Sequence, residues 1–172
     1  LEEITTIFDN VAPFAKPIMI VTGGEPLTRP DVFDITAASS YRGFRTVLAT
    51  CGHLLNDRNV ERLIDTGVSR ISVSLDGATA SSHDSFRGVE GAFDRALEGL
   101  ENARRHGLPF QINSTLTALN VNDIEAIYKL SIDIGAEGFH PFLLVPMGRG
   151  AGLANYALSP EQYEDTLVRI AN

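Results

Sequence analysis

The residues best suited to chemistry form a short run directly after an apolar segment: Thr22-Gly23-Gly24-Glu25-Pro26. Two adjacent glycines allow backbone angles that other residues avoid, and they let a ligand approach the main chain. Glu25 precedes a proline, so its backbone is biased to an extended conformation. The run predicts a loop that presents carbonyl oxygens beside one carboxylate. Such a loop suits an ammonium group, whereas a phosphate cradle needs amides and a lysine. A tight turn with an exposed acid is the alternative interpretation.

Further polar residues follow the next apolar segments of the chain. Cys51 is interpreted either as a buried core thiol or as a substrate contact at a strand end. The carboxylate of Asp76 is predicted to accept hydrogen bonds within its own Asp-Gly turn. Two interpretations are open for His83, Asp84 and Arg87. In the first, these residues contact cofactor or substrate, with Arg87 binding a carboxylate. In the second, they form a local helix cap with a surface salt bridge.

The elements that must position these residues alternate regularly along the chain. Apolar, strand-like segments cover residues 18–21, 46–50, 70–75, 110–117 and 138–145. Segments with helical spacing cover about 2–14, 31–43, 56–67, 91–107 and 122–135. Five strands separated by helices predict a parallel sheet with right-handed crossovers. Pro141 would remove a donor from the hydrogen-bond ladder, which places the last strand at a sheet edge.

The faces of the third and fourth predicted strands favour one architecture over another. Ser72 and Ser74 share one face of the third strand, and Gln111 and Asn113 share one face of the fourth. A doubly wound sheet would bury both faces under helices, so a polar face indicates an open, partial (β/α) barrel with helices outside. A complete eightfold barrel needs about 250 residues, so the chain is predicted to form only part of one. Ser74 and Asn113 are then expected either to bind a ligand inside the barrel or to be satisfied core groups.

Composition and charge exclude several classes of protein. The 172 residues carry a formal charge of −8, which argues against a nucleic-acid-binding surface. No apolar run reaches the roughly 18–20 residues that span a bilayer, so no membrane partner is expected. One cysteine cannot form an internal disulfide framework. A cytoplasmic location is expected.

Taken in chain order, the strand-end segments resemble the core of radical S-adenosylmethionine (SAM) enzymes. The run from Thr22 to Leu27 resembles the GGEP motif of that family, and five further segments match in order. These are Thr50-Cys51-Gly52; Ser72-Val73-Ser74-Leu75-Asp76-Gly77; His83-Asp84 with Arg87-Gly88 and Gly91-Ala92-Phe93; Ile112-Asn113-Ser114-Thr115 with Asn120; and Val145-Pro146 with Gly148-Arg149-Gly150. The resemblance covers roughly residues 1–150 and is nearest to members with a SPASM or twitch extension.

The resemblance implies a set of cofactor-binding residues. Gly23, Gly24, Glu25 and Pro26 would bind the methionyl ammonium of S-adenosylmethionine. Ser74 and Asn113 would bind its ribose or carboxylate, and Arg87 would contact cofactor or substrate. No metal ligand and no individual catalytic residue is predicted. His53 and His106 are interpreted as loop and helix-end residues, and His140 as a residue that faces the interior.

The resemblance also implies a [4Fe–4S] cluster held by a CxxxCxxC motif before the helix that opens this sequence. Such a cluster needs three cysteine thiolates, and the sequence contains only Cys51. We therefore expect no cluster in this chain. We expect the chain to be a fragment, with residues 1–150 as a partial core and 151–172 as the start of a C-terminal helical extension. A degenerate homologue is the alternative.

The function implied is that of a radical SAM oxidoreductase or transferase, inactive as this chain alone. A reduced cluster would cleave S-adenosylmethionine, and the 5′-deoxyadenosyl radical would take a hydrogen atom from a small-molecule or peptide substrate. An external electron donor is implied, and relatives that decarboxylate haem precursors or modify peptides are the nearest. One rival is an inactive barrel used for binding. The other is a metal-independent (β/α) barrel lyase. A Schiff-base mechanism would need a lysine at a strand end, and neither Lys16 nor Lys129 lies at a predicted one.

Overall fold

The computed structural model describes residues 1–171, and its centre is a parallel sheet of five strands in the order of the chain. The strands are β1 (Ile18–Val21), β2 (Arg45–Thr50), β3 (Val68–Ser74), β4 (Phe110–Leu116) and β5 (Gly138–Leu143). Every pair of neighbours is parallel. The predicted edge position of Pro141 is confirmed, because β5 is the last strand in the sheet.

Seven α-helices surround the sheet in the described residues: α1 (Glu2–Val11), α2 (Val32–Tyr41), α3 (Asp57–Asp65), α4 (Ala80–Arg87), α5 (Ala92–Arg105), α6 (Ile124–Asp133) and α7 (Pro160–Ala171). Short 3-10 helices cover Pro26–Thr28, Val121–Asp123 and Gly148–Tyr156. None of the helices in residues 1–171 has the length and apolar character needed to cross a membrane.

The predicted partial barrel is confirmed, with a sheet that curls into a half-barrel and helices around it. A strand order that never reverses places every right-handed crossover helix on the same face. Side-chain burial follows this arrangement. Leu48, Ile71, Val73 and Ile112 point to the helices and are fully buried. Their neighbours along each strand face the concave side and are only half-buried. The division into a core of 1–150 and an extension stays a prediction.

Helix α4 lies between the predicted segments 70–75 and 91–107, where the sequence predicts no helix, and it is the main error in the predicted elements. Its helical face buries one side chain, His83, so its sequence has no apolar periodicity to reveal it. Its ends are nevertheless well marked. Thr79 and Ser82 form a reciprocal capping box, and Gly88 ends the helix in the left-handed conformation.

The polar residues of the concave face line up across the sheet. Ser74 of β3 is in register with Asn113 of β4, which is in register with His140 of β5. Neighbouring strands lie about 4.8 Å apart, so side chains in one such row can reach a common ligand.

Close packing of α5 on the end of β2 depends on two glycines. A Cβ atom at Gly99 would lie 2.3 Å from the carbonyl oxygen of Gly52 and 2.9 Å from Leu55 Cβ. Gly52 itself has a φ of +91°, a backbone angle that residues with a side chain rarely adopt. The helix backbone therefore touches the loop that carries Cys51, and this contact sets where that loop lies.

Replacing Gly99 with alanine should destabilise the fold by about 1–3 kcal/mol, because overpacking outweighs the gain in helix propensity. Urea unfolding, followed by circular dichroism, measures this. The matched control is Glu98→Ala on the exposed side of the same helix, which should change the free energy of unfolding by no more than about 0.5 kcal/mol. A Gly99→Ala variant as stable as the parent chain would show that the contact can relax freely.

Candidate cofactor site

The Gly23–Gly24 segment leaves the end of β1 as an exposed loop. Gly23 has a φ of +147°, a backbone conformation that favours glycine, whereas Gly24 has no positive φ. A Cβ atom at Gly24 would meet no other atom within 4 Å. No backbone or side-chain donor in the described part of the chain, which leaves out the Arg149 side chain, contacts the carbonyl oxygen of either glycine. The loop therefore offers acceptors and open space, which fits the ammonium group predicted from the sequence.

Glu25 holds this loop to the neighbouring strand. Both of its carboxylate oxygens accept from the Thr50 hydroxyl at 2.8 Å, and Oε2 also accepts from the backbone N–H of Cys51 at 2.9 Å. Oε1 accepts from the N–H of Leu27 at 3.1 Å and caps the short 3-10 helix that begins at Pro26. The exposed acid of the alternative interpretation is wrong, because the carboxylate is half-buried and bonded on several sides.

Cys51 and His53 lie against this carboxylate. The Cys51 sulfur is 2.8 Å from Glu25 Oε2 and 2.9 Å from His53 Nδ1. Partial burial, together with the nearby Glu25 carboxylate, raises the pKa of the Cys51 thiol to about 11. The thiol is therefore neutral near pH 7. His53 was interpreted as a loop residue only, although its spacing of two from a cysteine at a strand end was a usable signal.

Asp76 contacts groups beyond its own turn. It is fully buried, and its Oδ1 accepts from the backbone N–H of Thr115 at 2.7 Å on the next strand. Its Oδ2 is 2.5 Å from the Nε of Arg87. The prediction that Asp76 bonds within its Asp-Gly turn is therefore wrong. The carboxylate was free to reach across because the ends of adjacent parallel strands lie side by side.

The His83–Arg87 segment supports these strand ends. The ring Nδ1 of His83 accepts from the N–H of Asp76 at 3.0 Å, and burial lowers the pKa of His83, so the ring is neutral. The Asp84 carboxylate accepts from the N–H groups of Phe93 and Gly91 at 2.8 and 2.6 Å at the start of α5, and these bonds lower the pKa of Asp84. A local cap is thus present at Asp84, but Arg87 pairs with a buried carboxylate instead of forming a surface salt bridge.

Ser74 and Asn113 occupy the concave face as expected, half-buried and side by side. Asn113 Oδ1 accepts from Gln111 Nε2 at 3.1 Å, a contact that was not predicted. A ligand that reached from the Gly23–Gly24 loop to these residues would cross two to three strand spacings, about 10–14 Å. The sheet therefore orients the predicted residues along one elongated site at its C-terminal edge.

Fold and strand ends together define a class of protein: a parallel half-barrel with polar side chains at the carboxyl ends of its strands, the edge at which such folds carry their ligand sites. Residues 1–131 match the Radical SAM superfamily, and the chain belongs to that family. This membership confirms the resemblance and, at the level of the family, the predicted cofactors S-adenosylmethionine and a [4Fe–4S] cluster.

Three similar proteins show how far the likeness extends. An AdoMet-dependent heme synthase of Methanosarcina barkeri (strain Fusaro / DSM 804) is 48% identical over 166 residues, which cover 96% of this chain and 47% of that protein. A PqqA peptide cyclase of Ruegeria pomeroyi (strain ATCC 700808 / DSM 15171 / DSS-3) is 31% identical over 75% of this chain and 34% of that protein. The solved structure of native anSMEcpe with bound AdoMet and Cp18Cys peptide aligns over 98% of this chain and 50% of its own, with a TM-score of 0.78 at 19% identity. The last shows the fold alone. The chain spans about a third to a half of the length of these relatives.

The residues present fit the two cofactors of the family differently. The Gly23–Gly24 loop fits an ammonium-bearing ligand through its accessible carbonyls and the open space at Gly24. A [4Fe–4S] cluster needs three thiolates, and the 172 residues contain one cysteine. Residues 1–172 therefore cannot hold the cluster by themselves.

Replacing Arg87 with methionine should cost about 3 kcal/mol of stability, because it leaves the buried Asp76 carboxylate without its cation. Thermal and urea unfolding at neutral pH measure the loss. The control is Arg104→Met, which breaks an exposed pair with Glu101 and should cost less than about 1 kcal/mol. Equal effects of the two substitutions would mean that the Asp76–Arg87 pair contributes no more than a surface contact.

Proposed function

We propose that this chain forms the S-adenosylmethionine-binding half of a radical enzyme that acts on a haem precursor. The observation that carries the proposal is the exposed Gly23–Gly24 backbone at the end of β1, with accessible carbonyls and open space at Gly24. The carbonyls would accept from the methionyl ammonium, and Pro26 would fix the direction in which the loop leaves the site. Glu25 would keep the loop against β2 and add negative charge nearby.

The remaining predicted residues would bind the rest of the cofactor. Ser74 and Asn113 would hydrogen-bond its ribose or carboxylate from the concave face. Arg87 lines a cavity beside Cys51 and His53, where it would contact a carboxylate of cofactor or substrate. These groups would hold cofactor and substrate in one orientation, which is the protein's main contribution in cofactor chemistry.

Two requirements of the family's reaction lie outside these residues. S-adenosylmethionine, when bound to the cluster-loaded family core, supplies the radical that abstracts hydrogen. The cluster would have to be held by cysteines other than those in residues 1–172. The electron would have to come from an external donor. We therefore propose that the chain is a fragment of a longer cytoplasmic enzyme and is inactive alone.

The substrate proposal is supported by the greater similarity to the heme synthase, which is 48% identical over 96% of the chain, than to the peptide cyclase, which is 31% identical over 75%. A peptide substrate is therefore the second candidate. A lyase that uses a Schiff base is disfavoured, because each of the two lysines already has a partner elsewhere. Lys16 donates to the Arg42 carbonyl at 2.6 Å, and Lys129 pairs with Asp133 within α6. An inactive binding module is the remaining rival, and S-adenosylmethionine cleavage by the complete protein would exclude it.

Replacing Gly24 with valine should weaken S-adenosylmethionine binding at least tenfold in the complete, cluster-loaded protein. The added side chain would fill the space left for the ligand, and Gly24 has no positive φ, so backbone strain does not contribute. Isothermal titration measures binding, and iron and sulfide content confirm that the cluster still assembles. The matched control is Gly152→Val, another glycine without positive φ and with open space around its Cβ position. Parent-like binding and cleavage in Gly24→Val would show that this loop is only a turn.

We also propose that the β1 edge mediates self-association. Among residues 1–171, β1 pairs with β2 alone, and its Ile18 and Ile20 side chains are each 58% exposed. Unpaired strand backbone beside exposed apolar side chains favours edge-to-edge pairing.

Sedimentation analysis of the chain should therefore show dimers, and replacing Ile18 and Ile20 with lysine should shift them towards monomer. The control, Tyr41→Lys, changes an apolar side chain that is 90% exposed at the end of α2 and should leave the distribution unchanged. A parent chain that stays monomeric at high concentration would contradict the proposal.

A further inference from the structure

Three different metal-ligating side chains meet at the ends of β1 and β2. Glu25, Cys51 and His53 each place one ligand atom so that all three atoms lie within 4.8 Å of one another. The sulfur is 2.8 Å from Glu25 Oε2 and 2.9 Å from His53 Nδ1. The three come from two loops, and tertiary contacts, including the packing of α5 on Gly52, bring them together.

We propose that Glu25, Cys51 and His53 form a zinc site with an open fourth position. A thiolate, an imidazole and a carboxylate are the three ligand types that Zn²⁺ takes in proteins. Calcium and magnesium prefer oxygen ligands alone, so a sulfur and a nitrogen in one cluster favour zinc over either. Three protein ligands with one free position are typical of catalytic zinc sites, whereas structural sites use four.

Only small side-chain movements are needed to admit the ion. Zinc bonds of about 2.3 Å to sulfur and 2.0–2.2 Å to nitrogen or oxygen place neighbouring ligand atoms about 3.6 Å apart at a tetrahedral angle. The contacts of 2.8 and 2.9 Å must therefore open by less than about 1 Å, and the Glu25 and His53 ligand atoms, which lie within 4.8 Å of each other, must close by at most about 1.4 Å. His53 is exposed on its loop and can turn outward.

The carboxylate already has the supporting contacts that metal ligands require. The Thr50 hydroxyl and the N–H groups of Leu27 and Cys51 fix both oxygens of Glu25. Such outer contacts orient a ligand and tune its affinity. The single proton of the Thr50 hydroxyl can be donated to Oε1, so Oε2 can keep its hydrogen bond from the Cys51 N–H and use its second lone pair to bind a metal ion.

The fourth position would open into a cavity of about 280 Å³, lined by Cys51, His53, His83, Arg87, Val89, Ala92 and Arg95. Zinc would displace the Cys51 thiol proton to solvent, and the resulting thiolate would balance the charge of Zn²⁺ together with the Glu25 carboxylate. Arg95 adds positive charge at the cavity wall, whereas the charge of Arg87 is paired with Asp76. Water or an anionic group such as a carboxylate is therefore the fourth ligand that the cavity favours.

This site borders the proposed S-adenosylmethionine contacts, because Glu25 belongs to the same loop and Arg87 lines the cavity at the fourth position. Zinc would use the Glu25 carboxylate, whereas the cofactor would use the backbone carbonyls of Gly23 and Gly24. The zinc proposal does not rest on the radical activity, and its failure would leave that activity untouched.

The single cysteine makes the test direct, because any thiolate–metal signal from the full 172-residue chain must come from Cys51. Cobalt(II), titrated in a thiol-free buffer, should produce a near-ultraviolet thiolate-to-metal absorption that zinc then abolishes at one equivalent. Zinc should also slow alkylation of Cys51 by iodoacetamide at least tenfold. Replacing Cys51 with serine should remove the absorption, and Glu25→Gln and His53→Ala should each weaken zinc binding at least tenfold.

The matched control is His106→Ala. His106 also lies beside two carboxylates, 2.9 Å from Asp57 and 3.9 Å from Glu61, but has no thiol partner. This variant should bind zinc like the parent. Zinc content per chain in the complete protein, compared between parent and His53→Ala, gives a second measurement that does not require the fragment to be stable. The proposal is overturned if the cobalt absorption is absent, if zinc gives no protection, or if His53→Ala binds and retains zinc like the parent.

Discussion

Burial of alternate side chains under one layer of helices is the constraint on which the rest of the structure depends. Leu48, Ile71, Val73 and Ile112 are fully buried against the helices, and each such side chain contributes roughly 1.5–3 kcal/mol. Because the side-chain period of a strand is two, a slip of one residue would expose these groups and bury their polar neighbours. The same packing therefore places Ser74 and Asn113 on the concave face, where the proposed ligand would lie.

Two carboxylates at strand ends show how structural and chemical roles overlap in this site. Glu25 and Asp76 both bond to groups of the next strand, Glu25 to Thr50 and Cys51 and Asp76 to Thr115. Each fastens one strand end to its neighbour, and each also brings negative charge to the edge where a cofactor would bind. The family motif accounts for the presence of Glu25, but its hydrogen bonds explain why the loop has a defined position.

Glycines in this chain fall into two kinds that the sequence does not separate. At Gly99 the space for a side chain is filled by the Gly52 carbonyl, so packing requires the glycine. At Gly24 the space is open and the backbone angle is ordinary. A glycine without a packing or conformational reason, at the end of a strand, is consistent with space kept for a ligand. That distinction supports the proposed cofactor loop more directly than the motif alone.

The sequence by itself was enough to predict the parallel sheet, the open half-barrel and the family, because strand periodicity and motif order depend on local residues. The edge position of Pro141 followed from its missing N–H, and Ser74 and Asn113 followed from strand parity. Helix α4 was missed because it has no apolar stripe. The hydrogen bond of Asp76 with Thr115, its ion pair with Arg87, and the meeting of Glu25, Cys51 and His53 were decided only by the tertiary structure. These contacts join residues that lie up to 39 positions apart, and only the register of neighbouring strands and the contact of Gly99 with Gly52 bring such residues within bonding distance.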